Sequence, residues 1–89
     1  MSISDVINSF NLTAEQFDKL TFQQFQILSF ICMNGSITPM DAYSELWVTK
    51  LATRVSEMKA MGIRFDQEYE SRKNRFGKTV RFMRYRKAA

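Results

Sequence analysis

The chain has 89 residues, 45% of them apolar and 25% charged, which describes one small soluble globular domain, and no apolar run approaches the roughly 20 residues that a bilayer crossing needs. It has no His, a single Cys (Cys32) and three scattered Gly, which exclude zinc sites built on His or Cys clusters, Ser-His-Asp and Cys-His nucleophiles, an internal disulfide and glycine-rich phosphate loops. The net charge of +4 is divided unevenly: residues 1–49 hold one base against five acids, and residues 50–89 hold twelve bases against four acids.

In chain order, Met1-Ser2-Ile3-Ser4-Asp5 has no basic stretch leading into an apolar one. Neither a signal nor a transit peptide is expected, and the protein is expected in the cytoplasm. Ser4 is placed to cap a turn over residues 5–10. Thr13 with Gln16 has the spacing of a capping box and opens a short helix to Leu20. Thr21 caps a stronger helix from Phe22 to about Met33, with Phe22, Phe25, Leu28, Ile31 and Cys32 as its apolar stripe and Ile27 and Phe30 widening it. Gly35 suits the left-handed position that ends such a helix.

Thr38-Pro39 reads as cap and first helical residue, and Asp41 favours the positive end of that helix. The helix runs to about Leu46, with Ala42, Tyr43 and Leu46 turned inward. After a tight turn at Trp47-Val48, Thr49 is expected to cap a helix over residues 50–61, with Leu51, Val55 and Met58 as its stripe and Gly62 as its stop. The period then changes to two. Ile63, Phe65, Gln67 and Tyr69 alternate with Arg64, Asp66, Glu68 and Glu70, as in a half-buried strand. A basic loop over residues 70–78 leads to a second strand over residues 79–86. Val80/Phe82 and Met83/Tyr85 claim opposite faces there, which a bulge would reconcile.

Helix, short helix, tight turn, capped helix and hairpin give an α+β winged helix-turn-helix, mainly α with a small β-hairpin. In that architecture the helix after the turn enters a DNA major groove and the hairpin touches the backbone. The charge division agrees, because residues 72–87 hold eight bases and no acid, and such a block points to a polyanion.

Gly35-Ser36-Ile37-Thr38-Pro39-Met40-Asp41-Ala42, Leu51-Ala52-Thr53-Arg54-Val55-Ser56-Glu57-Met58-Lys59, Gly62-Ile63, Gly77-Lys78 and Arg84-Tyr85-Arg86 carry a further signal. Together they resemble a family of small phage and prophage winged helix-turn-helix domains, over about residues 24–87. The resemblance implies a winged helix-turn-helix of bacteriophage or prophage origin. The chain departs from that family at Trp47-Val48, at Lys87 and in the aromatic segment 1–21. Two units are therefore expected: an N-terminal helical extension over residues 1–21 and a DNA-binding domain over residues 22–87. The extension is either a homodimer surface or a cover for the chain's own core.

The expected contacts to double-stranded DNA are Thr49, Lys50, Thr53, Arg54, Ser56 and Glu57 on the helix and Arg72, Lys73, Asn74, Arg75 and Lys78 on the wing. Lys50 can donate to guanine or phosphate, and Thr53 can bond either way or touch a thymine methyl. Arg54 and Glu57 can instead pair with each other. Phe76 is expected to fold back onto the core, with wedging or stacking against nucleic acid as the alternative. Arg81, Arg84 and Arg86 can pair across the hairpin with Asp66, Glu68 and Glu70. No catalytic residue, metal or cofactor is implied. The function expected is DNA binding in transcription regulation or as an architectural accessory. The alternatives are a phage protein that modulates a host protein through the same basic surface, and a binder of single-stranded RNA.

Overall fold

The computed structural model describes residues 3–88; Met1 and Ser2 of the N-terminal segment, and Ala89, lie outside them. The described residues form α1 (Ile3–Phe10), α2 (Ala14–Lys19), α3 (Phe22–Asn34), α4 (Pro39–Leu46), α5 (Leu51–Ala60), β1 (Phe65–Lys73) and β2 (Thr79–Lys87). This is the expected α+β winged helix-turn-helix architecture.

Three helices start on capping boxes. Thr13 with Gln16 opens α2, Thr21 with Gln24 opens α3, and Thr38 with Asp41 opens α4, with Pro39 at the first helical position. In each, the Thr hydroxyl accepts the third amide and the partner side chain accepts the Thr amide, so two orphan donors are satisfied at once. Gly35 ends α3 at φ 87°, a conformation that costs glycine little.

The two capping glutamines do a second job. The Gln16 amide donates to the Met61 carbonyl at 3.0 Å, and the Gln24 amide donates to Glu57 Oε1 at 3.1 Å. Glutamate would serve the caps equally but has no donor for these bonds. The starts of α2 and α3 are thus fastened to α5.

The core gathers Val6, Phe10 and Leu12 from the N-terminal segment, Ile27, Leu28 and Ile31 from α3, and Leu51, Val55 and Met58 from α5, with Ile37, Ala42, Val48, Ile63 and Tyr85 completing it. Each fully buried aliphatic side chain removed from water contributes about 1.5–3 kcal/mol. Phe10 meets Phe65 at 5.7 Å between ring centroids, and Phe17 meets Phe25 edge-on at 6.0 Å. Val6 and Phe10 of α1 are therefore spent inside the chain's own core, with Ile7 packed against it and Ile3 exposed.

Several local expectations are corrected. Ser4 lies within α1, not at its cap. Thr49 does not cap α5. Val48 is buried and the chain turns at Thr49, so helical backbone begins only at Leu51, and Lys50, which has no acceptor, occupies the cap position without a side-chain bond. Phe22 and Tyr43 are exposed although the helical period placed them inward. β1 is not half-buried: Ile63 is buried before the strand begins, and Gln67, Glu68 and Tyr69 are exposed. There is no bulge. The antiparallel register runs unbroken from Phe65↔Lys87 to Lys73↔Thr79. Both frames of β2 are apolar because both are used. Met83 and Tyr85 join the core, while Phe82 and Arg84 sit across a cleft from Thr38–Asp41 at the start of α4.

Gln24→Glu keeps the acceptor a capping box requires, so capping alone predicts no loss. Urea denaturation is expected to show a loss of about 1–3 kcal/mol, because the new carboxylate is buried against Glu57 with no donor between them. Adding Glu57→Gln is expected to recover most of it.

Candidate nucleic-acid interface

The outward face of α5 follows from its inward stripe. With Leu51, Val55 and Met58 buried, Ala52, Thr53, Ser56, Lys59 and Ala60 face solvent. Thr49 and Lys50 are exposed just ahead of them. The helix starts without a side-chain cap, so its first amides keep their donor capacity and partial positive charge at the open end. Arg54 and Glu57 are engaged with each other at 3.0 Å, and Glu57 also accepts from Gln24. They lie at the flank of the face, while Thr49, Lys50, Thr53 and Ser56 form its open part. Lys59, which the sequence reading passed over, bonds Gln67 and ties α5 to β1.

The hairpin divides its cations in two. Toward the body the three arginines of β2 are occupied, while Lys87 at the root is exposed. Arg84 donates twice to the Glu70 carboxylate at 2.8 Å and once to the Ser36 hydroxyl at 2.8 Å. Arg86 pairs with Glu68. Arg81 stacks its guanidinium 4.1 Å above the Tyr69 ring rather than on a carboxylate. Toward the tip, Arg72, Lys73, Arg75 and Lys78 are exposed, and among the described residues none of them makes an ion pair or side-chain hydrogen bond. The strands run further than the alternation suggested, so Arg72 and Lys73 lie in β1 and the turn itself is short.

Asn74 builds that turn. Its side-chain oxygen accepts the Phe76 amide at 2.9 Å and the Lys78 amide at 3.0 Å. Its own amide donates to the Lys78 carbonyl at 2.8 Å, and the Gly77 amide donates to its carbonyl at 3.0 Å. Gly77 takes φ 78°. Phe76 does not fold back: it is 90% exposed. The turn is closed by its own backbone, so no apolar surface lies within reach of that ring. Trp47 is a second exposed aromatic, in the left-handed region at φ 59° in the turn before α5.

Electrostatics at the hairpin root follow from contact geometry. The hydrogen bonds from Arg84 hold the Glu70 carboxyl below the ordinary carboxylate range against a smaller opposing effect of burial, and the same bonds raise the Arg84 guanidinium. Burial raises the Tyr85 phenol. Glu68 and Glu70 are taken by arginines, and among the described residues no cluster of His, Cys, Asp or Glu is arranged to hold a metal. No helix among them is long and apolar enough to cross a membrane.

A family model described as a winged helix-turn-helix domain matches residues 22–86. The chain belongs to that family. The matched span runs from the start of α3 to the end of the hairpin, and takes in both the open face of α5 and the basic wing. No curated protein and no solved structure matches the chain.

Because the Glu70 carboxyl is depressed in the folded winged helix-turn-helix, the pair with Arg84 contributes stability above the ordinary carboxylate value of 4.5, and loses it as pH falls through the lower folded value. The melting temperature should therefore be insensitive to this pair between pH 7 and 5, and fall below that range. Glu70→Gln is expected to lower the melting temperature at pH 7 and to flatten its acid dependence in a series of thermal melts.

Proposed function

We propose that this chain binds duplex DNA, with the start of α5 in the major groove and the wing on the flanking backbone. In this reading it is a phage- or prophage-encoded transcriptional regulator or architectural accessory. The observation that carries the reading is the division of cations along the hairpin. The three arginines of β2 are taken by Glu68, Glu70 and Tyr69, whereas toward the tip Arg72, Lys73, Arg75 and Lys78 are exposed and make no ion pair or side-chain hydrogen bond among the described residues, Arg72 acting on Glu70 only through its charge. A loop needing charge only for solubility would not require four unpaired cations at one extremity, and phosphate oxygens are the ligands that suit them.

On α5, Lys50, Thr53 and Ser56 offer donors and acceptors at groove depth, and Thr49 lies at its mouth. Arg54 and Glu57 brace one another, so Arg54 serves the backbone or the fold rather than a base. Asn74 spends its side-chain oxygen on the turn and retains only its amide for a contact. Residues 22–87 are the binding unit, and the segment 1–21 buttresses it from behind. Phosphate contacts supply most of the affinity, and one domain reads few bases.

Reversing Arg72, Lys73 and Arg75 to Glu is expected to abolish binding to a mixed-sequence duplex while leaving circular dichroism unchanged and lowering the melting temperature only slightly, through loss of the Arg72 attraction for Glu70. Neutralising them to Gln instead should flatten the plot of log affinity against log salt by about 3 units, one for each lost phosphate contact. Binding that survives reversal would contradict the wing assignment. Changing Lys50 and Thr53 to Ala should flatten the motif recovered from a random duplex pool more than it lowers affinity for unselected DNA. Equal losses on every sequence would reduce α5 to a backbone contact.

A further inference from the structure

We propose that Phe76 is a wedge: the wing delivers its ring from the minor groove into a base step, so that the protein kinks the duplex it binds. This rests on the duplex reading above and goes beyond it, because contact with phosphates requires no aromatic side chain at the tip.

Phe76 is the most exposed of the large apolar side chains among the described residues. Leaving such a ring in water is unfavourable, and nothing in the turn requires it. The turn is made by Asn74 and Gly77, and the only bond at position 76 is through the backbone amide. The surroundings then select the ligand. Arg72, Lys73, Arg75 and Lys78 flank the ring, and no carboxylate occurs from Ser71 to Ala88. Lysine is depleted at protein interfaces, and a block of cations without carboxylates between them would need a strongly acidic partner surface to be buried there. A nucleic acid offers both features required, with phosphates for the cations and the flat apolar faces of bases for the ring. Wedges of this kind are apolar side chains inserted from the minor groove between base steps.

The geometry also suits insertion. Every residue from Ser71 to Arg81 is exposed, so the end of the hairpin stands off the body. Each arm of that end is three strand residues, roughly 10 Å at strand rise, and carries the turn over residues 74–78. A cleft of about 540 Å³ lies between the hairpin and the start of α4, lined by Pro39, Met40, Arg72, Val80 and Phe82 among others. The minor groove is about 6 Å wide, which excludes two paired strands but admits side chains from a narrow tip. The tip is organised in advance. Four hydrogen bonds converge on Asn74, and Arg81 stacked on Tyr69 stiffens the stem. Little conformational freedom is left to lose when the ring enters.

The test uses two fluorescently end-labelled 24-base-pair duplexes containing TA steps, one fully matched and one with a single mismatch. A wedge spends binding energy on unstacking, and a mismatch lowers that cost. The full chain is expected to shorten the end-to-end distance of the matched duplex and to bind the mismatched one about tenfold tighter. Phe76→Ala should abolish the shortening and bring the affinity ratio to about one, while retaining the salt dependence, and Phe76→Trp should preserve both effects. The ring touches no core residue, so these variants are expected to melt as the parent does. A duplex that the parent binds without bending, with equal affinity for both probes, overturns the wedge and leaves the duplex reading standing. An exposed ring of that kind would then belong to a protein contact. Failure of the parent to bind either duplex at low salt overturns both.

Discussion

Two backbone hydrogen bonds, each 2.9 Å, are exchanged between Ile37 and Tyr85, and the placement of the wing depends on them. A two-stranded hairpin alone is marginally stable in water. Here β2 gains a single antiparallel bridge at its other edge, contributed by Ile37, the residue just before the Thr38 cap of α4. The same few atoms therefore fix where α4 starts and how the hairpin leaves the body. Ile37 is fully buried and Tyr85 nearly so, which shields the pair from water. Arg84, next along β2, reinforces the junction from the side by reaching both Ser36 and Glu70. Glu70 and Glu68 neutralise Arg84 and Arg86 at this junction, while Arg72, Lys73, Arg75 and Lys78 lie toward the far end of the wing.

The other side of the interface is set by hydrogen bonding of a similar kind. α5 is short, and its packing stripe of Leu51, Val55 and Met58 fixes its rotation but does little to fix its position along its axis. The amides of Gln16 and Gln24 supply that constraint at Met61 and Glu57. The acidic N-terminal half of the chain thus acts as scaffold: its helices hold α5 from behind and carry few cations of their own. The basic half holds the start of α5 and the wing. In the proposed docking, repulsion between the acidic helices and phosphate would act in the same sense as attraction at the wing.

The parts of this fold that were legible in the sequence are those decided by local chemistry. Thr13 with Gln16, Thr21, and Thr38 with Pro39 announce helix starts because a hydroxyl three residues before an amide can do little else so well. Gly35 and Gly62 announce stops because both take positive φ. The misses lie where tertiary packing decides. Thr49 resembles a cap, but burial of Val48 shifts the helix start by one residue beyond its reach. Alternation in β1 suggested one buried face, yet a projecting hairpin has no body to bury it against, so Tyr69 stacks with Arg81 instead. Periodicity placed Phe22 and Tyr43 inward because it reports an apolar face and carries no information about whether another element covers it. The second bonds of Gln16 and Gln24 span 45 and 33 residues, and no local pattern encodes them. For the candidate site, the cation block was visible as composition. Its division into paired and unpaired halves required the register.

In the proposed docking, α5 and the wing engage one duplex together. Amide-resolved NMR titration of the labelled chain with a 20-base-pair duplex tests it directly. Resonances of Lys50–Ser56 and of Arg72–Lys78 are expected to shift together and saturate at the same DNA concentration, while those of α1 and of the outer face of α3 stay in place. Shifts confined to one of the two elements, or centred on the open apolar groove that Phe22, Phe25, Phe30, Met33 and Leu46 line between α3 and α4, would contradict it.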